Sequence, residues 1–427
     1  MREFYGYEGI HSIKFGRMKA KVNGMHRFAL ILGFLTLTLA LLDAFQTIIL
    51  PRRPVGRFRI TRLFFLATWT PWVRVARLIQ SSKARDQFYS FYGPLSLLLL
   101  FIVWATLLAG GYGLIFFGLH TPFSDPFHPG TLGGELRTAL YVSGSTIFTL
   151  GLGDVVPATL LARALVVLEA GTGLGFVALV IGYVPVLYTA FSQREIAVAL
   201  LDARAGSPPT ASELLVRHSF TGGNAALIEL LAEWERWCAT LLETHISYPL
   251  LCYYRSQHDN QSWLAALTAI LDTCALLITT VEGPATRQAQ LTFAVGRHVL
   301  VDIVHVFRQE SMEIGFLQQP MQRLDDDEFA RLCEVLGGAG FALCGDIEAH
   351  ARLQSIRRLY EPSACAMGHF LALGLPRWVP PPRDPSKRKD NWTTVADLRT
   401  PSALADRLST HLSPLSTADH FGEDERH

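Results

Sequence analysis

The sequence predicts an all-helical protein that spans a membrane, on three observations. Apolar runs at 28–50, 95–117 and 160–191 are each long enough to cross ~30 Å of hydrocarbon at about 1.5 Å of rise per residue. Strand signals are sparse, and no βαβ unit is legible. Beyond Arg194 the composition becomes that of a soluble protein whose apolar residues recur at helical spacing.

The hydrophobicity is concentrated, not spread. Half of the 427 residues are hydrophobic and mean hydropathy is +0.25. A formal net charge of +1 gives a nucleic-acid partner no electrostatic support. All six cysteines (Cys238, Cys252, Cys274, Cys333, Cys344 and Cys365) follow residue 230, and none forms a Cys-x-x-Cys pair. That distribution indicates a reducing compartment for the C-terminal half, with neither zinc ribbon nor disulfide framework.

Residues 1–27 form a polar, aromatic and weakly patterned N-terminal arm. Met25, followed by His26-Arg27 and an apolar run, reads as the point where translation begins, with a loosely ordered arm as the alternative. Residues 28–50 are a transmembrane helix and no signal peptide, because Pro51-Arg52-Arg53 makes a stop-transfer edge and no small-residue cleavage site is present. Asp43 within it is costly in lipid and is expected to face protein or a water-filled crevice.

Residues 51–93 carry nine Lys and Arg against one acid, Asp86, which places this strip on the cytoplasmic side. Within it, Phe58 to Ile79 mixes Arg59, Arg62, Arg74 and Arg77 with Phe64, Phe65, Trp69, Trp72 and Val75, the pattern of an interfacial helix. Pro71 is expected to break or kink it. The arginines come as two separated pairs, which argues against a row of gating charges.

Residues 94–193 hold the most informative stretch. Leu95 to Phe117 is the outer helix. Gly118 to Leu160 carries one base, Arg137, and three acids, Asp125, Glu135 and Asp154, as an external loop should. Gly134 to Phe148 fits a short helix whose C-terminal end, partly negative, would favour a cation. Thr149-Leu150-Gly151-Leu152-Gly153-Asp154 follows it directly. Glycines at alternate positions allow successive carbonyls to be aimed the same way, so that they can replace water around an ion. Threonine adds a hydroxyl at the inner end, and Asp154 holds cations at the outer mouth. The inner helix, 160–191, is interrupted by Gly171, Gly173 and Gly175, read as a gating hinge combined with close packing.

This string resembles the Thr-Val-Gly-Tyr-Gly-Asp filter of potassium channels. Its leucine at position 152 resembles the second pore loop of two-pore-domain channels, here with one pore loop per chain. Ala139-Leu140-Tyr141 and Thr146 match the family's pore helix, and Pro157 and Arg163 fall at its spacing. Gly173, sixteen residues past Pro157, stands where the family keeps its hinge glycine. The resemblance covers residues 95–192. It implies an outer helix, pore helix, filter and inner helix, four copies around one axis, and potassium as the permeant ion with no cofactor.

Departures from the family pattern are informative. The filter tyrosine is Leu152, and the pore-helix position expected to meet it is Val142, so both partners of a polar contact have become apolar together. Ser145 stands where some members carry a buried glutamate, which leaves Asp154 without that carboxylate partner. Glu169 reads either as a filter-supporting acid or as a structural carboxylate behind the pore helix.

Residues 194–210 read as a linker with Ser207-Pro208-Pro209, 211–378 as a helical cytoplasmic domain, and 379–427 as a disordered tail. In the cytoplasmic part Leu227, Leu231 and Trp234 share one stripe of a helix from Ala225 to Thr244. His298, Asp302 and His305 share a helix face, a ligand pattern that is more commonly a plain polar surface, so no metal is assigned. No nucleophile elbow, P-loop or zinc-protease string is present, and no catalytic residue is expected. The expected protein is a homotetrameric, potassium-selective channel of a bacterial plasma membrane. It is multi-pass, embedded in the lipid bilayer, with a cytoplasmic C-terminal domain and no nucleic-acid partner. The alternatives are a non-selective cation channel, a non-conducting membrane sensor or scaffold, and an enzymatic or metal-sensing module in residues 211–353.

Overall fold

The computed structural model describes residues 5–50, 59–120, 123–124, 132–257, 261–310, 323–343 and 347–380. The tail after 380, and Cys344, lie outside them. The protein is an all-α membrane protein, and among the described residues three helices are long and apolar enough to cross a bilayer, at Val22–Ile48, Ser82–Gly118 and Leu160–Ala205. It divides into two compact units, Met1–Thr68 with Pro94–Val186 and Trp69–Gly93 with Leu187–His427.

In chain order the first elements are α1 (Tyr5–Ile48), α2 (Ile60–Ala76), α3 (Ser82–Gly118), β1 (Phe123–Ser124), α4 (Leu132–Ile147), β2 (Val156–Pro157) and α5 (Leu160–Ala205). Helix α1 starts at Tyr5, inside the stretch read as an arm, because a helix nucleated in the apolar run propagates at one hydrogen bond per residue. In the first unit the core joins four helices: Ala29 and Ala40 from α1, Leu108, Tyr112 and Phe116 from α3, Ala139 and Ile147 from α4, with Leu165, Val166 and Phe176 of α5 against them. Helices α1 and α3 approach at small residues; a Cβ on Gly33 would lie 2.8 Å from the Gly111 carbonyl oxygen.

Asp43 does face protein. It is 5 % exposed, and its Oδ2 accepts from the Thr61 backbone N–H (3.1 Å), the Thr61 hydroxyl (2.6 Å) and Trp104 Nε1 (2.9 Å). The carboxylate thus satisfies an orphan donor in the first turn of α2 and ties α1, α2 and α3 together.

In the second unit follow α6 (Ala211–Arg217), α7 (Gly223–Ser247), a 3₁₀ turn at Pro249–Tyr253, α8 (Trp263–Thr279), α9 (Thr286–Glu310), α10 (Asp326–Gly338), α11 (Ile347–Arg357) and α12 (Glu361–Leu371). Helix α8 is apolar nearly all round because it is the buried centre, enclosed mainly by α9, α11, α6 and α12. Leu227, Leu231 and Trp234 are buried along α7 as their spacing requires. A buried polar network crosses this unit. Asp272 Oδ2 accepts from Arg323 Nη2 (2.5 Å), Asp272 Oδ1 from the Tyr360 hydroxyl (2.5 Å), and Glu361 Oε2 from Arg357 Nε (2.7 Å).

Two expectations need correction. Pro71 does not break α2, which runs through it. The indole of Trp69 is anchored instead of lying among headgroups: it is 5 % exposed, packs on Tyr92 and Tyr253, and donates from Nε1 to the Phe370 carbonyl at 3.0 Å. That packing holds the helix across the hydrogen bond proline cannot make. The linker read at 194–210 is helical to Ala205. Arg194, 3 % exposed, fixes it by donating to the carbonyls of Leu251 (2.8 Å) and Tyr254 (2.9 Å).

Candidate ion-conducting site

Helix α4 ends at Ile147, and the strand that follows is held to its last turn. Thr149 N–H donates to the Thr146 carbonyl (3.0 Å) and Leu150 N–H to the Ser145 carbonyl (2.8 Å). The backbone then enters the left-handed region at every second residue, with φ of 57° at Thr149, 57° at Gly151 and 76° at Gly153. Alternation of this kind turns successive carbonyl oxygens to one side. At Gly151 and Gly153 the absent Cβ removes the steric objection, whereas Thr149 carries strain of about 1–2 kcal/mol. The whole string 149–154 is exposed, including the leucine side chains at 150 and 152.

Beyond the string the chain is stapled. Phe123 and Ser124 of β1 pair antiparallel with Pro157 and Val156 of β2, closing the loop that contains α4 and residues 149–154. The Tyr141 hydroxyl donates to Asp154 Oδ2 at 2.7 Å, so the acid that lacks a carboxylate partner at Ser145 has a phenol partner.

Behind the string, α4 is fastened to its neighbours. Ser143, fully buried, bonds the Ala109 carbonyl (2.6 Å) and Glu169 Oε1 through one hydroxyl. Glu169 is itself fully buried, and its Oε2 has no hydrogen-bond partner. Thr146 Oγ1 donates to the Val142 carbonyl at 2.8 Å. Val142 is buried, while Leu152 is 65 % exposed.

The three glycines of α5 differ. Gly173 is buried, and a Cβ there would lie 2.6 Å from the Ile147 carbonyl oxygen, so glycine lets the inner helix meet the end of α4. Gly171 and Gly175 face open space. Helix α5 passes through all three without interruption.

Sequence reasoning missed Ser143 and the Tyr141–Asp154 bond. A small polar residue one helical turn from Ala139 and Ile147, on the face of α4 that is buried, was the available signal for Ser143. His298, Asp302 and His305 form no metal-binding group among the described residues; His298 instead pairs with Asp302 at 3.4 Å as an ordinary one-turn contact. No cysteine among the five described is in a disulfide.

A helix running into an exposed, glycine-bearing segment with alternating left-handed φ, flanked in the chain by two long apolar helices, has the layout of a pore loop. Residues 129–189 match the family model described as an ion channel. Over 255 residues the chain is 27% identical to "Uncharacterized membrane protein YdjJ" of Bacillus subtilis (strain 168), covering 58% of this chain and 69% of that protein. No solved structure matches the chain.

Proposed function

We propose that four copies of this chain enclose a potassium-selective pore, conducting K+ passively along Thr149, Leu150, Gly151, Leu152 and Gly153, with Asp154 at the outer mouth. The observation that carries the reading is the left-handed φ at Thr149, Gly151 and Gly153 in an exposed strand at the end of a helix. One such strand cannot surround an ion, and the exposed Leu152 is the side chain a neighbouring copy's pore helix would cover. Ser145, Thr146, Val142 and Glu169 support the filter from behind. Gly171 and Gly175 provide the flexible part of the gating hinge. The basic strip and the C-terminal unit lie in the cytoplasm of a bacterium, and the apolar faces of the three long helices lie in its plasma membrane.

A non-selective cation pore is the second reading, favoured by Leu152, whose side chain offers no hydroxyl to brace the carbonyl ring. The test is ion flux from liposomes holding purified protein, run with potassium, then sodium, beside Gly151→Ala. Potassium flux lost in the variant, with little sodium leak, supports the proposal. Equal fluxes move the protein to the second reading. Silence in the wild type and in truncations of the C-terminal unit favours a non-conducting scaffold.

A further inference from the structure

A second group of side chains lies in the first unit, on residues outside the string 149–154. His26 of α1, His120 in the turn after α3, and Glu135 in the first turn of α4 each offer one ligand atom, all within 4.8 Å of one another. His26 is 2 % exposed, and its ring lies against that of His120 with centroids 3.5 Å apart.

The hydrogen bonding of His26 fixes its chemistry. Its Nδ1 lies 2.8 Å from the Phe117 carbonyl oxygen, which can only accept, so Nδ1 carries the proton. The other ring nitrogen, Nε2, is buried and has no hydrogen-bond partner. A backbone carbonyl holding one imidazole nitrogen while the other points at a ligand is the usual support of a metal-bound histidine.

Each residue also has an ordinary explanation that falls short. Glu135 complements the N-terminal end of α4, as an acid in a first turn does. His120, at φ 48°, ends α3 in the left-handed conformation that glycine or asparagine would take more easily. Neither role accounts for two imidazoles in ring contact, one of them buried with an unpaired nitrogen.

We infer that His26, His120 and Glu135 form a binding site for a divalent ion of the zinc type. Two imidazoles and one carboxylate suit Zn2+ and its borderline neighbours, whereas Ca2+ and Mg2+ prefer oxygen shells. A tetrahedral ion with bonds of ~2.1 Å spaces its ligands by about 3.4 Å, within reach of small side-chain rotations from the arrangement seen. His120 and Glu135 are exposed, so the ion enters from solvent and keeps a water in its fourth position. Bound there, it joins α1 and the end of α3 to the start of α4, the helix whose other end carries the filter.

The test needs no ion flux, so its result stands apart from the conduction proposal. The intact chain, purified in detergent and stripped with chelator, is dialysed against low-micromolar Zn2+ and its metal counted per chain. Co2+ loading is read in parallel by its visible absorption. One Zn2+ per chain, at least tenfold weaker binding in H120Q and E135Q, a tetrahedral Co2+ spectrum lost in H26Q, and unchanged binding in H298Q/H305Q are the expected results. The exposed positions 120 and 135 keep the test valid should H26Q fold poorly. Absence of zinc from the wild type, equal zinc in H120Q and E135Q, or displacement by equimolar Ca2+ would each overturn the site.

Discussion

The Tyr141 hydroxyl donates to Asp154 Oδ2 at 2.7 Å, joining α4 to the last residue of the glycine-bearing string across thirteen residues of chain. An ionised acceptor makes this bond shorter and stronger than a neutral one, although its exposure to water tempers the gain. It holds one end of a segment whose other end is fastened by the Thr149 and Leu150 amides.

Tyr141→Phe removes that bond and keeps the aromatic ring. Stability is expected to change by less than about 1 kcal/mol. Potassium flux is expected to fall or to decay with time, because the outer end of the strand is released. Thermal unfolding beside liposome flux separates the two effects; a variant with unchanged flux would show that Asp154 needs no anchor.

Gly173 and its neighbours separate packing from bending. A methyl group at 173 meets the Ile147 carbonyl at 2.6 Å, and a backbone oxygen cannot move aside as a side chain would. Gly173→Ala is expected to lower stability by about 1–3 kcal/mol and to abolish flux by displacing the end of α4. Gly171→Ala and Gly175→Ala meet open space and are expected to stabilise the helix by up to about 1 kcal/mol. Reduced opening in these two variants, with stability kept or raised, is the signature of a hinge; unchanged flux would leave only the packing role.

What was legible in the sequence was what local pattern carries. The three apolar runs, the short helix before Thr149 and the alternating glycines each follow from spacing within a few residues, and α4 and the left-handed φ values at 149, 151 and 153 agree with them. Contacts between distant segments left no such trace. Ser143 and Glu169 lie on different helices, and His26 meets Phe117 across ninety-one positions. At Pro71 the break that proline encourages locally is absent, opposed by packing of Trp69 against residues far along the chain.

Ser143 is expected to be as sensitive as a core apolar residue. Ser143→Ala removes the hydroxyl shared by the Ala109 carbonyl and Glu169 and leaves a fully buried carboxyl group without that donor. A stability loss of about 1–3 kcal/mol is expected, measured by thermal unfolding, with a parallel loss of flux. Replacing Ser143 and Glu169 together by Ala and Leu should recover part of the stability, because apolar partners leave nothing unsatisfied. A double variant no better than S143A would show that the two residues do not act as a pair.

Arg323 and Asp272 make a comparable case in the second unit. Asp272 is fully buried, and Arg323 Nη2 approaches it at 2.5 Å while also donating to the Pro376 carbonyl at 2.9 Å. Arg323→Met strands a buried acid and is expected to destabilise that unit by about 3–5 kcal/mol. Denaturant unfolding followed by tryptophan fluorescence reports it, since Trp378 lies against the Arg323 guanidinium. A loss below about 1 kcal/mol would mean that Tyr360 and the apolar surroundings suffice for Asp272.

His245 makes stability depend on pH in a stated direction. It is 1 % exposed, with Nε2 3.3 Å from Arg194 Nη1 and Nδ1 3.1 Å from the Leu241 carbonyl oxygen. A guanidinium only donates and a carbonyl only accepts, so the ring is neutral, with its proton on Nδ1. Burial, and then the charge of Arg194, hold its pKa well below the ordinary 6.5. The unfolded chain therefore binds the extra proton first as pH falls. The stabilisation is complete above about pH 6.5 and is lost progressively below it, with a slope of up to about 1.4 kcal/mol per pH unit. The half-buried His218, also lowered mainly by burial, adds a slope of the same sign. Unfolding of the intact chain between pH 7.5 and 5.5 should show the fall, and H245Q should remove most of it, leaving the part due to His218. Superimposable profiles for wild type and H245Q would mean that the ring is reached by protons without unfolding.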